Sequence, residues 1–373
     1  MGGAGFRVEY ICWHSHCQAS SPARLAIDSL SLRIFELHSD LQEGALEEVV
    51  SIAAIADASD HRAIEAAAQI IRKGGLVAFP TETVYGLGAD AQNPLAVARI
   101  FEVKARPRID PVIIHVADPT SALQYGAFPE IAQHLIERFW PGPLTLVVDK
   151  TQLVPPIVTA GLDTVAIRVP SHPAALALIS AAGRGIAAPS ANLFGYVSPT
   201  TAQHVADQLG DRIDFILDGG ACTIGLESTI LSLAGNAPCL LRAGGVSIEE
   251  LETVIGEFDL AIDAPQKPLA PGQLKRHYAT RTRLVISEQG KEDLRRNERV
   301  GLLSLVPPEN PDQYEAVEVL STSGSLQEAA ANLFGALRRL DSLSLDRIIA
   351  RPVSEKGLGL AIMDRLRRCS ARE

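Results

Sequence analysis

Several side chains in this sequence could hold a small anionic molecule. Lys104, Arg106 and Arg108 concentrate positive charge in one short stretch. Arginine suits bidentate contact with carboxylate or phosphate, and lysine acts as a compact charge. The same residues would also suit a solvated helix end with favourable dipole charges. Thr81, Glu82 and Thr83 place hydroxyl and carboxyl groups directly after an apolar run and Pro80. His115 lies inside the apolar run Val112 to Val116, where a histidine either bonds within a core or reaches a ligand. Arg168 closes a run of valines and an isoleucine, where a cation needs an anion, from an ion pair or from a bound acid. Ser190 and Asn192 follow a short apolar run and a proline, as turn formers or as ligands. No motif assembles a Ser–His–Asp set, and no residue stands out as an obligatory general base. The chemistry such residues support is positioning plus charge neutralisation.

Buried strands with helices between them must carry these groups. Asp60 to Lys73 repeats apolar residues at helical spacing (Ile64, Ala67, Ala68, Ile71) and stops at Gly74-Gly75. Strand-like runs follow at Leu76–Phe79, Val112–Val116, Leu144–Val148, Val165–Val169, Ile186–Ala188, Phe215–Leu217, Thr229–Leu233 and Leu240–Leu241. With helical stretches between several of them, this reads as a mixed-sheet α/β domain with helices on its faces. Pro265 to Pro271 is proline-dense, which marks an extended linker. Beyond it a second α/β pattern begins: Leu284–Ile286, Val300–Leu305, Ala316–Leu320 and Arg347–Ile349 as strands, and Ser325 to Asp341 as a helix. A capping box of Ser325 with Glu328 opens that helix, and a last helix follows Gly359.

At 373 residues and 47% hydrophobic content, two domains with sizeable cores are expected. A net charge of -10 argues against broad non-specific nucleic-acid binding and leaves room for a local basic pocket. No run approaches the roughly 18 apolar residues of a membrane span. The five cysteines (Cys12, Cys17, Cys222, Cys239, Cys369) are odd in number and scattered, which fits a reducing cytosol. CWHSHC, from Cys12 to Cys17, contains zinc-ligand types, but its spacing is too compressed for a usual finger and no second pair follows nearby.

The motifs taken together resemble the YrdC/Sua5 family. Its Lys-x-Arg motif is matched by Lys104 and Arg106, and its Ser-x-Asn motif by Ser190 and Asn192. WPGPLTLVV from Trp140, AGLDTVAIRVPSHP from Ala160, GLESTILSL from Gly225 and LLRAGG with Arg242 follow in the family's order. The later half resembles the Sua5-type C-terminal domain through ANLFGALRRLD and GLGLAIMDRL, and the linker carries the His-Tyr pair at His277 and Tyr278. Several segments in one order are far more specific than any one of them. Two positions depart from the pattern: Asp110 stands where the family commonly has Asn before Pro, and Thr280 stands where Pro usually follows His-Tyr-Ala.

The resemblance implies a YrdC-like twisted mixed-sheet catalytic domain over 59–250, a linker over 251–282 and a smaller Rossmann-like domain over 283–373. Residues 1–58 are left as an extension. It implies an L-threonylcarbamoyladenylate synthase that joins L-threonine, bicarbonate or CO2 and ATP into threonylcarbamoyl-AMP and pyrophosphate. A separate transferase would carry the product to adenosine 37 of tRNA, in the cytoplasm. Lys104 and Arg106 would be the catalytic cations. Thr81, His115, Arg168 and Ser228 would bind threonine. Ser190, Asn192, Ser198, Arg242, His277 and Tyr278 would join Lys104 and Arg106 on ATP. Magnesium would arrive with ATP and be held mostly by its phosphates. The competing readings are an RNA-binding YrdC-like module without synthase activity, and a carbamoyl-transfer domain like that of hydrogenase-maturation proteins. The acidic balance and the lack of exposed aromatic runs weigh against the first, and the Sua5-type C-terminal half against the second.

Overall fold

Alternation along one short strand sorts the first core into two layers. The structure is a computed structural model that describes residues 53–262, 268–273, 277–287, 294–295 and 297–371. Val77–Phe79 is flanked by Leu76, and all four side chains are buried. Leu76 and Ala78 pack on one face with Ile100, Val205 and Leu209, whereas Val77 and Phe79 pack on the other with Ile64, Ile71 and Leu178. This is the period of two that a strand imposes, applied to a strand covered on both sides.

The strands of the larger sheet are β1 (Ala54–Asp57), β2 (Val77–Phe79), β3 (Gly86–Asp90), β4 (Ile113–His115), β5 (Gly126–Ala127), β6 (Leu144–Lys150), β7 (Thr164–Arg168), β8 (Ile186–Ala187), β9 (Phe215–Asp218), β10 (Thr229–Ser232), β11 (Cys239–Arg242) and β12 (Asp259–Leu260). Their order is β1-β9-β2-β3-β8-β4-β7-β6-β10-β11-β12, with β5 beside β6, and pairings are mixed parallel and antiparallel. The helices are α1 (His61–Arg72), α2 (Pro94–Lys104), α3 (Pro119–Ala122), α4 (Ile131–Phe139), α5 (Pro173–Ala182), α6 (Ala202–Leu209), α7 (Ile248–Ile255), α8 (Leu326–Asp341) and α9 (Gly359–Ser370). The expected mixed α/β architecture is present.

Sequence signals explain the helix ends. The Asp60 side chain accepts from Arg62 N and caps α1, and the buried face of that helix is Ala63, Ile64, Ala67, Ala68 and Ile71. Asn93 caps α2, Pro94 opens it, and Ala105 ends it in the left-handed conformation at φ 50°. The expected capping box of α8 is only half formed. The Ser325 side chain accepts from Glu328 N, but the Glu328 carboxylate turns to the hydroxyls of Ser321 and Ser323. Neutral hydroxyl donors nearby win over the N-cap backbone.

Four strands fall where no strand was expected: β1, β3, β12 and the two-residue β5, which pairs antiparallel with β6. β1 pairs in parallel with β9, so the sheet begins just before the expected boundary at residue 58. The glycine-rich Gly86–Asp90 segment pairs antiparallel with β2. Gly88 is required there, because a Cβ would meet the Phe79 ring at 2.9 Å and Ile186 at 2.8 Å. β12 adds a short parallel edge strand beside β11 inside the expected linker. The Cys12–Cys17 motif lies outside the described residues.

The second sheet has β13 (Arg283–Ile286), β14 (Val300–Ser304), β15 (Ala316–Val319) and β16 (Arg347–Ala350) in the order β13-β16-β14-β15, with all three pairings parallel. Helices α8 and α9 contribute Leu333, Phe334, Leu337, Ile362 and Leu366 to its core. That core does not stop at the sheet. Val84, Val197, Leu226, Ala243 and Tyr278 belong to the same buried cluster, so the two halves share one apolar seam.

Gly225 sits on this seam with φ +73°, and a Cβ there would lie 2.5 Å from Ala331 Cα and 2.6 Å from Ala330 O on α8. Gly225→Ala should therefore force the halves apart as well as strain its own backbone. We expect a melting temperature lowered by roughly 4–8 °C in scanning calorimetry. An unchanged melting temperature would show that the seam can yield.

Candidate active site

The ends of neighbouring strands deliver the first polar groups. β4 and β7 run parallel, and His115 and Arg168 are register partners at their C-terminal ends. Open α/β sheets form their sites at such strand ends, where side chains leave the core and backbone groups become free. Thr81 follows β2 in a tight turn. Its Oγ1 donates to Val84 O at 2.6 Å, lies 2.8 Å from Thr83 Oγ1, and accepts from the Thr83 and Val84 amides. Ser228 precedes β10, and its Oγ is 2.7 Å from Thr145 Oγ1.

These groups line one pocket with Thr83, Arg106, Ser190, Glu227, Arg242, Pro271, Gly272, His277 and Tyr278. Its free volume is about 50 Å³. A larger open cleft of about 700 Å³ lies elsewhere, along β1 and the start of α5, but no lysine or arginine lines it. The chemistry is therefore placed in the smaller, polar pocket.

Arg168 is buried and three partners hold it. Nη2 lies 2.6 Å from Glu82 Oε1, Nη1 donates to Thr83 Oγ1 at 2.9 Å, and Nε donates to Gly142 O at 3.0 Å. Burial pushes the Glu82 carboxyl up, but the Arg168 guanidinium outweighs it and leaves the group below its ordinary range. His115 packs edge-on to Phe79 at 6.0 Å, and its Nδ1 has no hydrogen-bond partner among the described residues. Burial, reinforced by the Arg168 charge, holds its pKa down at about 3, so the ring is neutral. A neutral imidazole can donate at one nitrogen and accept at the other.

On the other wall, Arg106 forms a buried ion pair with Asp110, Nη2 to Oδ2 at 2.9 Å. Its Nε and Nη2 also donate to Asp110 O at 3.1 Å and Pro111 O at 2.7 Å. Burial pushes the Asp110 carboxyl up, and Arg106 opposes that shift. The departure at Asp110 thus places a counter-charge directly on the motif arginine. Arg242 donates to Ser228 O from Nε at 3.1 Å and from Nη2 at 2.9 Å, and to Pro271 O from Nη1 at 3.1 Å. No ion pair joins it to a carboxylate among the described residues. Burial lowers its pKa, and Tyr278 and Glu227 work against that shift.

Pro271, Gly272, His277 and Tyr278 cover this wall. Gln273 is buried, with Oε1 accepting from Leu269 N at 2.7 Å and Ala270 N at 3.1 Å. His277 sits 4.1 Å from the Tyr278 ring and 5.7 Å from Phe194, centroid to centroid. Tyr278 stacks on Phe334 of α8 at 5.6 Å. Burial holds the His277 imidazole neutral, with Arg106 adding to the shift, and pushes the Tyr278 hydroxyl up to about 12. Thr280 uses its hydroxyl locally, donating to Thr282 O at 2.6 Å.

Three expected site residues do not line the pocket. Lys104 is fully buried, and its Nζ donates to the carbonyls of Ser190, at 2.5 Å, and Asn192. Burial, and then the neighbouring Arg106 charge, pushes its pKa well below the ordinary lysine range. Its side chain braces the Ser190–Asn192 loop from behind. Asn192 donates to Leu193 O and Tyr196 O, both at 2.8 Å, and so shapes the same loop. Ser198 donates to Glu227 Oε1 at 2.5 Å. Lys104 and Ser198 are satisfied locally instead of facing the cavity, and Asn192 spends its amide N–H groups on the loop while its buried Oδ1 has no partner among the described residues. Sequence reasoning noted the Glu82 carboxyl without a partner and passed over Glu227; both pair with buried arginines. Their adjacency to Thr81, Thr83 and Ser228 was the available signal.

Comparison with known proteins adds independent findings. Residues 69–244 match the Sua5/YciO/YrdC family model, whose description reads telomere recombination. Residues 246–371 match the threonylcarbamoyl-AMP synthase C-terminal domain. The threonylcarbamoyl-AMP synthase of Pyrococcus abyssi is 46% identical over 328 residues, covering 82% of this chain and 94% of that protein. The Bacillus subtilis protein of the same name is 46% identical over 316 residues, covering 81% and 91%. A crystal structure of Pyrococcus abyssi Sua5 with L-threonine aligns with TM-score 0.78 and 44% identity, covering 83% of this chain and 95% of that one.

The neutral His115 makes a stability prediction. Between about pH 3 and pH 6.5 the unfolded chain binds a proton at this position and the folded chain does not. Its contribution is therefore fully present above that window and is lost as pH falls through it. His115→Gln should reduce the drop in unfolding free energy between pH 7 and pH 5 by about 2 kcal/mol. Denaturant titrations at the two pH values measure this. A parallel drop in both proteins would place the folded-state pKa near its ordinary value.

Proposed function

The chain belongs to the Sua5/YciO/YrdC family, and from that premise we propose that it is a threonylcarbamoyl-AMP synthase. It captures bicarbonate or CO2 on the amine of L-threonine and adenylates the resulting carbamate with ATP, releasing pyrophosphate. The observation that carries this reading is one small pocket whose walls bring the threonine-side residues (Thr81, His115, Arg168, Ser228) against the nucleotide-side residues (Arg106, Ser190, Arg242, His277, Tyr278). An adenylation between two substrates needs such a shared wall.

Each role follows from the geometry. The Arg168 guanidinium, fixed by Glu82, Thr83 and Gly142, is a rigid cation for the amino-acid carboxylate. His115 is neutral and has a free nitrogen, so it can hydrogen-bond the threonine hydroxyl without adding charge. Thr81 and Ser228 offer hydroxyls to the same ligand. Arg242, without a carboxylate partner among the described residues, and Arg106 oppose the charge of the triphosphate. Lys104 and Asn192 act indirectly by holding the Ser190 loop.

The reaction itself needs little acid–base machinery. The carbamate oxygen attacks the α-phosphorus, the bond to the β-phosphate oxygen breaks, and pyrophosphate leaves with that electron pair. Positioning and charge neutralisation dominate such a step. Magnesium enters with ATP as part of the substrate. Water is the main competitor, because a carbamate decomposes when exposed. The closed pocket, with His277 and Tyr278 over it, has room for little beyond a water or two at about 50 Å³. Nucleotide-sized ligands need about 300 Å³ or more, so the 277–278 segment must lift to admit ATP and close again before chemistry. The proposal divides the chain into a catalytic domain ending near residue 250, a linker to 282 and a C-terminal domain. It places the enzyme in the cytoplasm, with its product passed to a transferase that modifies tRNA. No described helix is long and apolar enough to cross a membrane.

Pyrophosphate release should require ATP, L-threonine and bicarbonate together. Release without threonine, or none with all three, would refute the assignment. Arg106→Ala should lower turnover about a hundredfold while the protein stays folded, the effect of removing about 3 kcal/mol of charge stabilisation. Serine lacks only the methyl group and should be a poor substrate; valine leaves the pocket's polar groups unpaired and should be worse. Equal rates with valine and threonine would mean that Thr81, His115 and Ser228 do not form the amino-acid pocket.

A further inference from the structure

Arg365 heads the largest fully buried side chains among the described residues, and it belongs to α9 in the C-terminal half. Its guanidinium points across the seam toward the pocket wall. Nε donates to Glu227 Oε2 at 2.8 Å, Nη2 donates to Ala243 O at 2.9 Å, and Nη1 bonds its neighbour Asp364 at 2.5 Å. The charge also sits 4.9 Å from the centroid of the Tyr278 ring. Glu227 and Tyr278 both line the pocket, and Ala243 follows Arg242. One side chain from outside the first sheet therefore grips two pocket residues and the backbone beside a third.

Two features make this grip matter. Tyr278 holds φ +63°, a conformation that a bulky residue adopts only when its contacts impose it. Besides the neighbouring His277 ring, it is held by the Arg365 charge and the Phe334 ring, both from the C-terminal half. Glu227 is a carboxylate at the wall of a pocket proposed to receive a polyanion. The hydroxyl of Ser198 takes one of its oxygens, and Arg365 neutralises the other.

Resting on the ATP-dependent reading above, we propose that Arg365 is a positioning residue for nucleotide binding. It cancels the Glu227 charge at the pocket wall and fixes Tyr278 over the pocket, so that the C-terminal half supplies part of the electrostatics of the nucleotide side. Without Arg365, a buried uncompensated carboxylate faces the triphosphate and repels it. Without the Glu227 charge, the opposite holds: an extra buried cation attracts the triphosphate. The two halves of the pair thus act on ATP with opposite sign. A pair that only stabilised the fold would cost the same whichever half were removed.

The test measures KM for ATP and for threonine separately, by pyrophosphate release, in the full-length protein. Arg365→Met should raise the ATP KM about tenfold or more and leave the threonine KM within about twofold. Arg365→Lys keeps the charge and should stay within about threefold of wild type for ATP. Glu227→Gln should leave the ATP KM equal to or below wild type, and adding it to Arg365→Met should bring the ATP KM back toward wild type. Equal increases in Arg365→Met and Glu227→Gln, or no change in Arg365→Met, would overturn the inference. If Arg365→Met does not fold, the other two single variants decide: a raised ATP KM in Glu227→Gln overturns it. A wild-type protein with no threonine- and bicarbonate-dependent release would fail the functional reading, and this inference with it. A wild-type protein with normal release but the wrong variant pattern fails the Arg365 inference alone.

Discussion

Burying several like charges in one place is the constraint on which the rest of this structure depends. Lys104, Arg106, Arg168, Arg242 and Arg365 are each less than a tenth exposed; Arg106, Arg168 and Arg242 line one small pocket, and Lys104 and Arg365 bond residues of its walls from behind. Each would cost several kcal/mol if left unpaired. The fold meets that cost with three buried carboxylates, Glu82, Asp110 and Glu227, and a set of backbone carbonyls at Gly142, Pro111, Ser190, Ser228, Ala243 and Pro271. Carbonyls satisfy a cation's hydrogen bonds without cancelling its charge. Arg242, bound mainly by carbonyls, therefore keeps a positive field available in a place that water scarcely reaches.

The elements can be understood as suppliers of those partners. Parallel pairing of β4 and β7 sets His115 beside Arg168, and the turn after β2 brings Glu82 and Thr83 onto the same guanidinium. The left-handed residue that ends α2 turns the chain between Lys104 and Arg106. One then braces the Ser190 loop from below, and the other faces the cavity with Asp110. Two charges that are neighbours in sequence are thereby given different work.

The C-terminal half is part of the same arrangement. Its helices bury apolar residues of both halves in one cluster, and Phe334 and Arg365 reach Tyr278 from the far side of the seam. A site assembled this way can be nearly closed to solvent while its cover remains a short linker segment. The apolar seam resists separation, whereas the cover is held by the ring contacts of His277 and Tyr278, the Arg365 charge and a backbone hydrogen bond from Ala279 N to Gly195 O.

The sequence by itself determined the local elements and the chemical vocabulary of the site. Periodicity marked α1 and apolar runs marked most of the strands, because these signals depend on neighbours within a few residues. Thr81, Arg106, His115, Arg168 and Ser190 were legible as types able to hold anions and hydroxyls, the family resemblance added Ser228, Arg242, His277 and Tyr278, and all nine line one pocket. The short strands β1, β3, β5 and β12 were not legible: β1 and β12 are edge pieces, β5 is two residues beside β6, and β3 is rich in glycine, with pairing supplied by other strands. Only the tertiary structure decided that Lys104, Asn192 and Ser198 turn inward to support their surroundings. It alone joined Glu227 to Arg365 across 138 positions of chain. Charge type is written in a residue, but its partner is chosen by packing, and a buried charge is defined by its partner.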